Sequence, residues 1–459
     1  RCRQGCRVRG GFAGAEYDWE GDHTPEISQE DMVMYKLHVR GFTMDGGARG
    51  RMRGTFAAIK EKIPYLRSLG ITTVELMPAY EFEEMVFLSA AKPSDYTEWK
   101  QKKEQGEDAA PQEQERVEAE KVNFWGYVPG NYFAPKAAYA FSKDEVTELR
   151  DLIKALHRNS MECVMEMYFD EKMNQNMILD VLRFWVMQYH VDGFHLIGSA
   201  LPIRAMTQDL VLRRTKLFYT GFGQELIEKR NENSHLYVYN DEYSYPLRRL
   251  LNHIDANLFE FVNQQKKQGR GCAYINYAAI NNGFTLADVF MYSEKHNLEN
   301  GENNMDGADW NFSSNYGVEG PTRRKYIQHL RRRQMRNAMA MVALAQGVPL
   351  IASGDEFCNS QGGNNNAYCQ DNKVGWVNWK DAAKNAAFTE YIRKLFAFRR
   401  EHRILRMPQP MHMKDFCGMG YPDLSYHGDN AWVAGFEPSR QAVGMMYCGE
   451  RDKDSGRRD

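Results

Sequence analysis

The chain has 459 residues, room for two or three ordinary domains, although α/β barrels with insertions often use such a length as one. Its 59 basic and 61 acidic residues leave a net charge of -2, so no long-range field draws it to nucleic acid or an anionic membrane. The 43% hydrophobic content contains no uninterrupted apolar run of about 18 residues, which argues against a membrane-spanning helix.

The amino end shows no signal-peptide succession and does not begin with Met, so the chain reads as a fragment or a processed form. Its cysteines, Cys2, Cys6, Cys163, Cys272, Cys358, Cys369, Cys417 and Cys448, lack CxxC spacing and neighbouring His clusters. Reduced thiols, a cytoplasmic location and no bound metal or cofactor are expected. Residues 1-30 read as the remnant of an N-terminal linker or β-domain.

From residue 32 onward, short β-branched or apolar runs alternate with amphipathic stretches, the signature of successive βα units around a parallel sheet. A first strand is predicted over Met32–Val39, a helix over Thr55–Leu69, and a second strand over Thr72–Met77, stopped by Pro78. Residues 92–121, rich in Glu, Lys, Gln and Ala, read as a solvated helix or flexible insertion. The pattern resumes with a helix at Lys143–Arg158, a strand at Glu162–Tyr168, a helix at Asn174–Tyr189 and a fourth strand at Gly193–Ile197. Leu236–Asn240 is expected as the fifth strand, a segment within Ala256–Val262 as the sixth, Ala273–Ala279 as the seventh and Val348–Ala352 as the eighth. Together, 31-403 read as a (β/α)8 TIM barrel. After Ile404 short alternating segments such as Leu424–Phe436 suggest a truncated C-terminal β-domain over 404-459. Met165, Met167, Met173, Met177 and Met187 are expected to fill gaps in the core.

Several segments carry a resemblance. Tyr35 to Thr43, Gly54-Thr55-Phe56 and Ile63 to Leu66 form one group; Asn123 to Tyr127 and Asn131 to Pro135 form another. A third comprises Lys295-His296-Asn297, Asn300-Gly301-Glu302, Gly317 to Gly320 and Gly363 to Asn372. In these residues, from about Tyr17 to Trp379, the chain resembles glycoside hydrolase family 13, the α-amylase superfamily, and within it the isoamylase and glycogen debranching type. Read singly, the Asn and Gly clusters are ordinary loop chemistry, and Trp125, Tyr127 and Tyr132 could be core or rim packing. Together they suit a polar and aromatic mouth at the carboxyl ends of barrel strands.

The resemblance implies retaining glycoside hydrolysis, which needs a nucleophilic carboxylate and an acid about 5 Å apart. In the family the nucleophile ends the fourth strand in a Gly-Phe-Arg-Phe-Asp run; here that run is Gly193-Phe194-His195-Leu196-Ile197. Ile197 can form no glycosyl ester, and the Arg that would orient the nucleophile is His195. At the seventh strand the family's His-Asp pair is replaced by Asn281-Asn282, which keeps hydrogen bonding without the charge. Asp241, or Glu242 one position over, aligns loosely with the family's fifth-strand acid.

A catalytically impaired relative of the debranching enzymes is therefore expected, binding α-1,4/α-1,6-glucan or partnering an active homologue. Trp125, Tyr127, Tyr132, His195, Asn281, Asn282 and His296 are the candidate sugar contacts. One alternative is an active α-1,6-glucosidase-like hydrolase whose site is rebuilt from Glu166, Asp170, Glu171, Asp192, Asp241 or Glu242. Another is a non-catalytic scaffold or decayed gene product.

Overall fold

The structure, a computed structural model, describes residues 16–89, 118–228, 235–415, 418, 420–437 and 442–449. Eight parallel strands close into a barrel in chain order: Met34–Leu37, Thr73–Leu76, Glu162–Tyr168, Gly193–Ile197, Lys216–Tyr219, Leu236–Tyr239, Ala273–Asn276 and Val348–Ala352. The ring closes where Met34 of the first strand pairs with Leu350 of the eighth.

Alternation along each strand sorts the side chains. Met34, Val164, Phe218, Tyr237, Ile275 and Leu350 pack inside the barrel. Their neighbours Tyr35, Cys163, Met165, Leu217 and Leu236 face outward, against the helices. The outer layer includes Phe56–Leu69, capped by the Thr55 hydroxyl and ended by Gly70 in the left-handed region. Glu145–Arg158 and Gln175–Tyr189 are capped by the side chains of Asp144 and Asn174. Met165 and Met167 are buried and Met173 lies half-buried against the core, but Met177 and Met187 are 43% and 56% exposed and fill no gap.

Two strand assignments are corrected. The fifth strand is Lys216–Tyr219, so Leu236–Tyr239 is the sixth, and Leu258–Gln265 is a helix. Leu258, Phe261 and Val262 are buried at helical spacing behind the Asn257 cap, which is why no strand forms there. The charged stretch expected over 92–121 lies outside the described residues except at its end, where 118–121 belong to a strand paired antiparallel with Met85–Ser89.

Ile27, near the start of the described chain, packs against the interior cluster. Its amide donates to Glu162 Oε1 at 2.8 Å, and its carbonyl accepts from the Lys216 ammonium, both at the amino ends of their strands. Leu424–His427 and Gly444–Tyr447 form a separate antiparallel pair. Cys163, Cys272, Cys358, Cys369 and Cys448 are free thiols; Cys2, Cys6 and Cys417 lie outside the described residues. Among the described residues no helix is long and apolar enough to cross a membrane.

Candidate active site

A cleft of about 1030 Å³ opens at the carboxyl ends of the strands. Its floor is charged. Lys36 on the first strand stands level with Glu75 on the second, and Glu166 on the third with His195 on the fourth. Their side chains meet inside the barrel. Lys36 Nζ is 3.4 Å from Glu75 and closer still to Glu166. His195 Nδ1 lies 2.8 Å from Glu75 Oε1 and 3.0 Å from Glu166 Oε1, while the His195 ring stacks on Tyr239 at 4.0 Å. Tyr239 donates its hydroxyl to Glu75, and Tyr127 donates to Glu166 Oε2 at 2.8 Å.

Lys36, Glu166 and His195 favour one another's charged forms. Burial opposes ionisation of Glu166, yet Lys36 and His195 keep its carboxyl well below the usual range. Burial likewise works against the His195 imidazolium, and Glu75 and Glu166 outweigh it, raising its pKa. Glu75, Glu166 and His195 bring three ligand-type atoms within 4.8 Å of one another, a spacing suited to a cation. The Lys36 ammonium supplies that charge.

The loop above the floor is fixed at several points. The amides of Phe124 and Trp125 both donate to the Tyr368 carbonyl, and His38 Nε2 meets the Phe124 carbonyl at 2.7 Å. Gly126, at φ +80°, lets Trp125 and Tyr127 both reach the cleft; a Cβ there would stand 2.5 Å from the Phe82 ring. Asn281 donates to the Tyr127 hydroxyl at 3.1 Å. Lys121 bridges Glu302 and Tyr368 on the far wall.

Of the residues singled out from sequence, Trp125, Tyr127, His195, Ile197, Asp241, Asn281 and Asn282 line the cleft. Three do not. Tyr132 is buried, donates to the Tyr168 carbonyl and packs on Tyr80 and Phe169. His296 binds Glu319 at 3.1 Å, and Glu242 reaches outward to Lys267 at 3.2 Å. Because the fifth strand is Lys216–Tyr219, its exit reads Tyr219-Thr220-Gly221 and carries no carboxyl group. The alignment of Asp241 or Glu242 with that exit therefore fails: both begin the helix Asp241–Asn252 after the sixth strand. Asp241 accepts a hydrogen bond from the Tyr277 hydroxyl. Among the other acids considered, only Glu166 enters the cleft; Asp192 is held by His157 and the Cys163 amide near the start of the fourth strand.

Sequence reasoning missed Lys36, Glu75, Arg248 and Trp310. The first two had a signal, a charged residue at an inward-facing position of an otherwise apolar strand. Arg248 also had one, lying seven residues after Asp241 on the same helix face. Trp310 had none, because its loop position is set by tertiary contacts. It lines the cleft and is 79% exposed.

No family model matches the chain. It is 28% identical to isoamylase 1, chloroplastic, of Arabidopsis thaliana over 84% of its own length and 58% of that protein's. It is 30% identical to a glycogen debranching enzyme of Serratia proteamaculans over 84% of its length and 65% of the relative's. The chain thus spans about 58 to 65% of these relatives. Among solved structures it superposes on a pullulanase of Paenibacillus barengoltzii complexed with maltotetraose, with a TM-score of 0.60, 20% identity, and coverage of 85% of this chain and 66% of that one. The barrel and these relatives agree: the chain has the fold of the pullulanases and is similar in sequence to isoamylases and glycogen debranching enzymes.

Proposed function

We propose that the protein binds α-1,4/α-1,6-glucan in the cleft and does not cleave it by the double displacement of retaining glycosidases. The observation that carries this reading is the chemistry of the strand exits. Ile197 ends the fourth strand and Tyr219-Thr220 ends the fifth, so neither exit offers a carboxyl group as nucleophile or proton donor. Losing one such group from a set that acts together costs on the order of 10^4 in rate, and here two positions lack it. The aromatic and amide-rich walls at Trp125, Tyr127, Asn281 and Asn282 remain suited to pyranose faces and hydroxyls.

One observation favours a second reading, an active hydrolase with a rebuilt site. Glu166, held ionised, and Asp241, bonded by Tyr277, both line the cleft. Reducing-sugar release from glycogen and pullulan, with glucan retardation in affinity gels, separates the two. Retardation without release is expected. Release abolished by Asp241→Asn or Glu166→Gln would replace the proposal with the rebuilt site, and neither binding nor release would leave a scaffold.

A further inference from the structure

Four residues of the helix Asp241–Asn252 line the cleft: Asp241, Ser244, Tyr245 and Arg248, at spacings of three, one and three. The last of them is out of electrostatic balance. Arg248 is only 5% exposed, yet it forms no ion pair among the described residues. Its Nε donates to the Ala278 carbonyl at 2.9 Å and its Nη1 to the Asn311 carbonyl at a long 3.4 Å. Its Nη2 has no acceptor among the described residues and is not sealed from solvent, and Arg248 lines the cleft.

Other buried cations in this barrel are compensated differently. Lys36 has two carboxylates and Lys216 has Glu162. Arg331 and Arg399 also lack carboxylate partners, but both of their terminal nitrogens are occupied by backbone carbonyls, and they act as clamps. Arg248 has one terminal nitrogen vacant. Burial weakens its charged form, and the carboxyl among its electrostatic neighbours gives little relief. That carboxyl, Asp355, is pushed up to about 8 by its own burial and is largely neutral near pH 7. A buried charge without a counter-ion is costly to keep, and a ligand that brings the opposite charge removes the cost. A sugar hydroxyl would satisfy the N–H and leave the charge unbalanced.

We infer that Arg248 is the centre of an oxyanion-recognition site in the cleft, so that the glucan bound there carries a phosphate monoester or carboxylate group on a sugar. The inference rests on the α-glucan reading above. The planar guanidinium, already oriented by two carbonyls, presents its remaining edge at fixed geometry, the arrangement in which arginine best recognises an oxyanion.

The test is calorimetric titration of the full chain with glucose, glucose 6-phosphate, glucuronate and maltotriose, in wild type, Arg248→Gln and Arg248→Lys. Glucose 6-phosphate or glucuronate is expected to bind about tenfold or more tighter than glucose, and the order of the two identifies the oxyanion. That ratio is expected to fall close to one in Arg248→Gln, to survive in part in Arg248→Lys, and to shrink with added salt. Because the ratio is read within each protein, a general loss of affinity does not imitate the result; should Arg248→Gln fail to fold, Arg248→Lys carries the comparison. Maltotriose binding with a ratio near one in wild type would overturn this inference and leave the glucan reading intact. A ratio that persists in Arg248→Gln would also overturn it, by locating the anion elsewhere. No binding of maltotriose by wild type would instead remove the glucan reading.

Discussion

At the residue scale, the floor of the cleft is a buried set of two carboxylates, an ammonium and an imidazole, assembled where relatives are expected to carry out chemistry. Such sets are stable only when complete. Lys36→Met is expected to destabilise the fold by about 3–5 kcal/mol, because Glu75 and Glu166 would be left with His195 as their one cationic partner. Adding Glu166→Gln to Lys36→Met should restore part of that loss; urea midpoints that simply add would show that the charges are not coupled. Trp310 makes the opposite case. An indole so exposed contributes little to folding and is available to stack on a pyranose face. Trp310→Ala should weaken retention on glycogen by roughly 5- to 30-fold, about 1–2 kcal/mol, with Trp310→Phe nearer to wild type. Equal retention of all three proteins in affinity gels would remove Trp310 from the binding surface.

The loop that displays Trp310 is an element in its own right, held by side-chain amides instead of regular structure. Asn365 donates to the Ala308 carbonyl at 2.8 Å and to Asn311 Oδ1 at 3.0 Å, and accepts from Asn297 at 2.8 Å. Asp306 receives Asn300 and Asn366. Asn365→Ala removes three bonds from a fully buried site and should cost about 2–3 kcal/mol, with faster amide exchange over 297–311. Unchanged exchange there would mean that the loop is fixed by other contacts. In the sequence this loop was legible as Asn- and Gly-rich, but not as a rigid display, since nothing local says which amides meet across 60 residues. The strands divide in the same way. Glu162–Tyr168, Gly193–Ile197 and Val348–Ala352 were legible to the residue because each is rich in apolar residues and bounded by caps or turns. Lys216–Tyr219 was not, being four residues long and opening on a lysine whose burial makes sense only beside Glu162, 2.5 Å away on another strand. That omission displaced the expected general-acid position by one strand, whereas Ile197 ends its strand as expected and both it and Asn282 line the cleft.

Over the whole molecule, titratable groups are buried at both ends of the barrel, and they make stability depend on pH in one direction above neutrality. His157 lies between Asp22 Oδ2 at 2.8 Å and Asp192 Oδ2 at 2.9 Å, and so ties the residues before the first strand to the start of the fourth. Burial opposes its charge, but the two carboxylates raise its pKa from 6.5 to about 9. The folded state thus binds this proton more tightly than the unfolded state. Its stabilisation is complete below about pH 6.5 and is lost as pH rises towards 9. After the eighth strand, burial raises Asp355 to about 8 and Glu356 to about 7. These carboxyls also hold protons that the unfolded chain has already released, so folding weakens as pH climbs from about 4 through their raised values. Glu166 works the other way, since its lowered pKa gives stability that disappears only on acidification. The melting temperature should therefore be highest at about pH 5 and decline steadily to pH 9. His157→Gln should melt lower than wild type at pH 6 and converge on it at pH 9, because only the wild type has an imidazolium to lose. Parallel melting curves for the two proteins from pH 6 to 9 would refute the bridge as the source of the slope, and a flat wild-type curve would refute the buried carboxyls as well.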